Sequence, residues 1–202
     1  MSSARLETFA DGVFAIAATL LILSVDGAVG GDGILGERLT HVWPSYLAYA
    51  LSFLTIGIMW MNHHTVLSLI AFVDRRFLLA NLGLLMCIAF VPFPTRLIAE
   101  NIRGDGAEAA ALAYGFTLTV TAFFFSAVWF YASIGGRLLR KDADPRIVRG
   151  ITRSYLPGPW IYLGSALVAF VSPVASFVLY LATAALYIFE SSLFGGTPID
   201  GD

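Results

Sequence analysis

An all-α, polytopic membrane protein with six spanning helices is the architecture this sequence predicts, on three observations. Hydrophobic residues make up 58% of the 202 positions and charged residues only 13%, against roughly 25% charged in a soluble domain. The apolar residues fall in long blocks near the ~20 positions that a spanning helix needs. Between the blocks lie glycines, prolines and charges that break helices or solvate loops. This sets helices over residues 4–26, 42–72, 77–99, 108–135, 156–172 and 174–194. They form one domain over 1–194, with no internal repeat and a short disordered tail over 195–202.

The first block organises the rest. Arg5, Glu7 and Asp11 lead straight into an apolar run. No basic cluster precedes it and no small-residue cleavage site follows, so it is expected to be a retained helix rather than a cleaved signal. A carboxylate inside such a helix costs roughly 2.5–3.5 kcal/mol on insertion scales, so Asp11 should face protein or water. It is either a structural acid that shapes the helix or a direct contact for ions. Ile16, Leu20 and Leu23 recur at i, i+4 and i+7 on one face. Asp26 continues that stripe and Thr19 lies beside it. Apolar rings can gate a pore by dewetting, and a carboxylate at the mouth concentrates cations. The pattern therefore predicts a helix that lines an ion pathway, although a packing stripe has the same periodicity. The Thr19 hydroxyl either bonds back to a carbonyl of its own helix or faces an ion.

A glycine-rich loop over 26–33 leads to the second helix, which carries Trp60-Met61-Asn62-His63-His64 about ten residues before its end near Asp74. At 1.5 Å per residue this stretch and Asp11 sit at similar depth, ~10–15 Å from the same surface, with Asn81 of helix three slightly shallower. Asp11, Trp60, Asn81 and one of the two histidines can thus meet across three helices, where polar groups at membrane depth need partners. Neighbouring histidines point ~100° apart, and a helical zinc motif needs i, i+4 spacing. No metal site is expected. Cys87 is the only cysteine and reads as a small packing residue.

Pro92 and Pro94 should kink the end of helix three. Phe123, Phe124, Phe125 and Trp129 make helix four apolar on all sides, which reads as a lipid-facing scaffold. The charges over 137–153 read as a solvated loop against the inner leaflet, with no specific ligand. Pro157 and Trp160 open helix five at an interface, and Ser172-Pro173 turns into helix six.

Orientation follows from the basic residues. Arg5, Arg75, Arg76, Arg137, Arg140, Lys141, Arg146, Arg149 and Arg153 fall on one side, and only Arg38, Arg96 and Arg103 on the other. Both termini are therefore expected in the cytoplasm, with the chain in the cell membrane. Phosphate loops, dinucleotide fingerprints and basic-aromatic tracts are lacking, so neither enzymatic cofactors nor nucleic-acid partners are expected.

The opening motif, Arg5, Phe9, Asp11 and Gly12 followed by Val-Phe-Ala-Ile-Ala, resembles the Arg-x-x-x-Phe-Ser-Asp-Gly signature of the transmembrane protein 175 family of potassium channels. The Trp60 to His64 stretch is similar to the family's second signature. The resemblance implies a homotetramer in the bilayer, with helix one of each subunit around a central pore, no cofactor, and potassium with other monovalent cations as permeant species. It implies constrictions at Ile16, Leu20 and Leu23, and potassium preference at Thr19. It also implies a bracing network of Arg5, Phe9, Asp11, Trp60, His64 and Asn81, with His63 the less certain histidine. Ala10 replaces the family's serine. Three rivals stand beside this reading. One is a proton-coupled transporter that uses Asp11 and His64, one a membrane-embedded hydrolase or metal enzyme, and one a non-conducting scaffold.

Overall fold

The computed structural model describes residues 3–25 and 34–194. It is all-helical. Helix α1 spans Ser3–Leu20, loosens at Leu21 and Ile22, and is helical again to Val25. A short α2 (Leu35–His41) precedes α3 (Trp43–Ser68). Then come α4 (Arg75–Phe90), α5 (Pro92–Asn101) and α6 (Ala107–Ser133). The chain closes with α7 (Pro145–Tyr155), α8 (Gly158–Leu167) and α9 (Pro173–Phe194). Among the described residues four stretches are long and apolar enough to cross a bilayer: Ala4–Val25, Trp43–Ser68, Arg75–Asn101 and Ala107–Gly136. Of the segments read as helices five and six, α8 has ten residues before a 3₁₀ turn over Val168–Phe170, and α9 runs 22 residues over Pro173–Phe194.

The predicted kink in helix three is a helix break. Val91 separates α4 from α5, with Pro92 at the start of the latter, where a missing N–H is harmless. Thr95 Oγ1 donates to the Val91 carbonyl at 2.8 Å and lies 2.8 Å from Ser52 Oγ, which is 3.1 Å from the Tyr114 hydroxyl. These buried hydroxyls tie α3, α5 and α6 together at the break, as polar groups must where water is excluded.

Two helix starts, those of α4 and α7, are capped by side chains. Asp74 accepts from the Phe77 amide at 2.8 Å and caps α4; Asp144 accepts from the Arg146 amide at 2.7 Å and caps α7. The Tyr131 hydroxyl also donates to Asp74 at 2.6 Å. That bond first, and the Phe77 amide second, hold the Asp74 carboxyl below the usual carboxylate range. The link α3–α4 pairs with the segment after α6: Ala71 N donates to Leu138 O at 2.8 Å and Arg140 N to Leu69 O at 2.9 Å. Arg75, Arg76, Arg137 and Arg140 therefore gather at one end of the bundle. Gly135 and Gly136 adopt φ of 68° and 64° in the turn that makes this possible, a region glycine enters without a Cβ penalty.

Two expectations need correction. Helix four is no lipid-facing scaffold: α6 is the centre of the bundle, packed on α4, α5, α7, α8 and α9, with Trp129 and Tyr114 fully buried. The 137–153 stretch is no plain loop either, since its second half is the amphipathic α7. Close packing of α6 depends on Gly115. A Cβ there would collide with the Tyr180 hydroxyl and lie 2.6 Å from Ala166 Cβ. Gly115→Ala is expected to destabilise by about 1–3 kcal/mol through overpacking, read by thermal unfolding of the purified protein. Gly164→Ala, which meets nothing within 4 Å, should stay within about 0.5 kcal/mol.

Candidate functional site

Helix α1 has two faces. Leu6, Ala10, Phe14, Ala17, Leu21 and Ser24 recur every three or four residues and are buried against α3 and α4. Ala10 is fully buried, so the missing serine hydroxyl leaves no unpaired polar atom in that seam. The opposite face carries Ile16, Leu20 and Leu23, all exposed, with Ile16 at 62%, and also Phe9, which is exposed here instead of joining the expected network between helices one and three. The predicted stripe thus points away from the bundle that holds the helix. Thr19 lies on that exposed face, and its hydroxyl donates to the Ile16 carbonyl at 2.9 Å. Asp26, expected at the outer end of the stripe, lies outside the described residues.

The flank of α1 is tied to α3 by two rungs. Trp60 Nε1 donates to Asp11 Oδ1 at 2.9 Å. One turn away, His64 Nδ1 lies 2.8 Å from Glu7 Oε1, with the histidine more exposed than the acid. The helices are antiparallel, so pairs spaced i, i+4 on each face one another: Glu7 and Asp11 meet His64 and Trp60. The indole and imidazole of Trp60 and His64 lie 6.4 Å apart between their centres.

A second, buried cluster sits behind these rungs. His63 Nε2 is 3.2 Å from Asn81 Oδ1, both residues are enclosed, and the Phe14 ring lies 5.4 Å from the imidazole. Asn81 Nδ2 has no hydrogen-bond partner among the described residues.

The expected single network is therefore two. Asp11 and Trp60 meet as expected, but Asn81 reaches His63 instead of His64. The ~100° between neighbouring residues sends the two histidines to different partners. Arg5 is exposed and makes no hydrogen bond or ion pair among the described residues. Glu7 was not among the expected site residues, although its position four before Asp11, mirrored by His64 four after Trp60, was the available signal. No group of three histidine, cysteine or acidic side chains that could hold a metal exists among the described residues.

Comparison with known proteins covers this region and the whole chain. A family model described as the endosomal/lysosomal potassium channel TMEM175 matches residues 5–92, which hold α1, the rungs and Asn81. The chain is 42% identical to a potassium channel of Chamaesiphon minutus, covering 83% of this chain and 84% of that one. It is 41% identical to a potassium channel of Streptomyces collinus, covering 93% and 92%. The crystal structure of a lysosomal potassium-selective channel TMEM175 homolog from Chamaesiphon minutus superimposes with a TM-score of 0.84 at 36% identity, over 94% of this chain and 97% of that chain.

Proposed function

This chain belongs to the TMEM175 family, and from that premise we propose that it is a potassium-selective, weakly discriminating cation channel. It conducts passively as a homotetramer, with α1 of each of four copies around a central pore. α8 and α9 complete six membrane-crossing helices per subunit, and both termini lie in the cytoplasm. The observation that carries the reading is the exposed apolar stripe of α1. One chain cannot enclose a pathway, and a helix with one face buried and the other unpartnered suits a closed ring of copies.

Within such a ring Ile16, Leu20 and Leu23 form constrictions that dewet when narrow. The two readings of Thr19 are compatible. Donation to the Ile16 carbonyl uses its proton and leaves the oxygen lone pairs free to face a cation. One hydroxyl ring replaces less of a hydration shell than stacked carbonyls do, hence the weak discrimination. Asp26 is assigned to the mouth. The rungs Asp11–Trp60 and Glu7–His64, and the His63–Asn81 pair behind them, hold the rotation of α1. In the proton-coupled alternative Asp11 and His64 form a relay, but Asp11 is engaged by Trp60 and His64 by Glu7.

The test is the reversal potential of the purified protein in a planar bilayer under opposed potassium and sodium gradients. A steady current that reverses nearer the potassium potential is expected. Exchange that tracks protons, with no steady current, would overturn the reading.

A further inference from the structure

We propose that α7 and the cleft behind it form a binding site for an anionic phospholipid. Arg146, Arg149 and Arg153 follow i, i+3, i+7 spacing along α7 and are all exposed. Ile147, Val148, Ile151 and Tyr155 occupy its other side and pack into the bundle. The three guanidinium groups make no ion pair or hydrogen bond among the described residues. Neighbouring basic groups differ: Arg140 is bonded by Asp142 at 3.0–3.1 Å, and Arg137 stacks over the Tyr131 ring at 5.1 Å. The stripe thus adds three uncompensated positive charges to an end of the bundle where Arg75, Arg76 and Lys141 also make no ion pair among the described residues.

Two further observations fix the occupant as a lipid. Leu156 and Trp160, which directly follow α7, are 65% and 71% exposed. Large apolar and indole side chains left outward beside an amphipathic basic helix mark a membrane interface. Tyr155, the last residue of α7, also lines a mainly apolar cleft with Ile58, Met59, Ala122, Phe125 and Tyr162, in which Thr55, Asn62 and Ser126 are the polar exceptions. A cleft of that lining accepts an acyl chain, and the outer face of the same helix presents three fixed positive charges that attract phosphate oxygens. A zwitterionic headgroup carries its own cation and gains less from three arginines; charge complementarity therefore selects an anionic one. The site rests on the chain being embedded in a membrane and uses no residue of α1, so it stands or falls apart from potassium conduction.

The experiment is thermal unfolding of the full-length protein in detergent, titrated with dioleoyl phosphatidylglycerol, dioleoyl phosphatidylcholine or glycerol phosphate. Phosphatidylglycerol should raise the unfolding temperature at lower concentration than phosphatidylcholine, and glycerol phosphate should not raise it. Replacing the three arginines together (R146Q, R149Q, R153Q) should weaken the apparent phosphatidylglycerol affinity roughly 100-fold. The corresponding three lysine replacements should retain most of it and guard against a folding artefact. Ala122→Phe, which narrows the cleft without changing charge, should weaken both lipids. An equal response to the two lipids, an unchanged response in the glutamine variant, or an equal shift from glycerol phosphate would each overturn the assignment.

Discussion

Ile16→Asn is expected to raise the resting potassium conductance by roughly tenfold or more, since removing only about 1.4 kcal/mol from a barrier gives that factor. A ring of four isoleucines offers no hydrogen bond to water or to a hydrated ion, whereas a ring of four amides does. Stability should barely change, because the Ile16 side chain is 62% exposed and surface replacements lie within about ±0.5 kcal/mol. Ala17→Asn, one residue along and 1% exposed, should do the reverse: an unpartnered amide in the α1 seam lowers the yield of folded protein. Single-channel recording beside thermal unfolding separates the two effects. Normal conductance from a well-folded Ile16→Asn protein would remove α1 from the pore.

The legibility of this site in the sequence depended on what helical geometry alone could settle. The Ile16, Leu20, Leu23 stripe follows from period, and the meeting of Asp11 with Trp60 follows from depth along two antiparallel helices. Which histidine reaches Asn81 depends on the rotation of α3 about its axis. That rotation is fixed by side-chain packing, here Phe14 against His63, and not by spacing. α6 defeated pattern reading for a related reason. In a bilayer both lipid and protein interior are apolar, so Trp129 and Phe123 look alike although one is buried and the other exposed. The small residues Ala111 and Gly115 were the available sign of a tightly packed helix. α7 was legible in principle. Asp144 before Pro145 is a helix start, and the arginines and isoleucines after it alternate with helical period. The dense charge over 137–153 suits a solvated loop and the polar face of a surface helix equally well.

The buried pair behind α1 gives the other large effect. His63→Leu or Asn81→Leu alone should each cost about 1–3 kcal/mol, because the remaining partner stays enclosed without a hydrogen bond. The double replacement should cost less than the sum of the two, by about 0.6 kcal/mol and at most about 1.7 kcal/mol, the mean and the maximum for hydrogen bonds between membrane helices. Equilibrium unfolding of the four proteins in one detergent provides the cycle. Strict additivity would mean that the 3.2 Å contact carries no coupling. Glu7→Gln and His64→Gln offer the contrast. Their rung is partly exposed, and such pairs contribute about 0–1 kcal/mol, so these variants should unfold much as the parent does. If the rung sets the rotation of α1 rather than its stability, they should instead shift the current carried past Ile16. The two clusters differ in this way because one is enclosed and the other is not. The enclosed pair must be matched for the three helices to pack, whereas the exposed rungs can exchange partners with water while the fold stays intact.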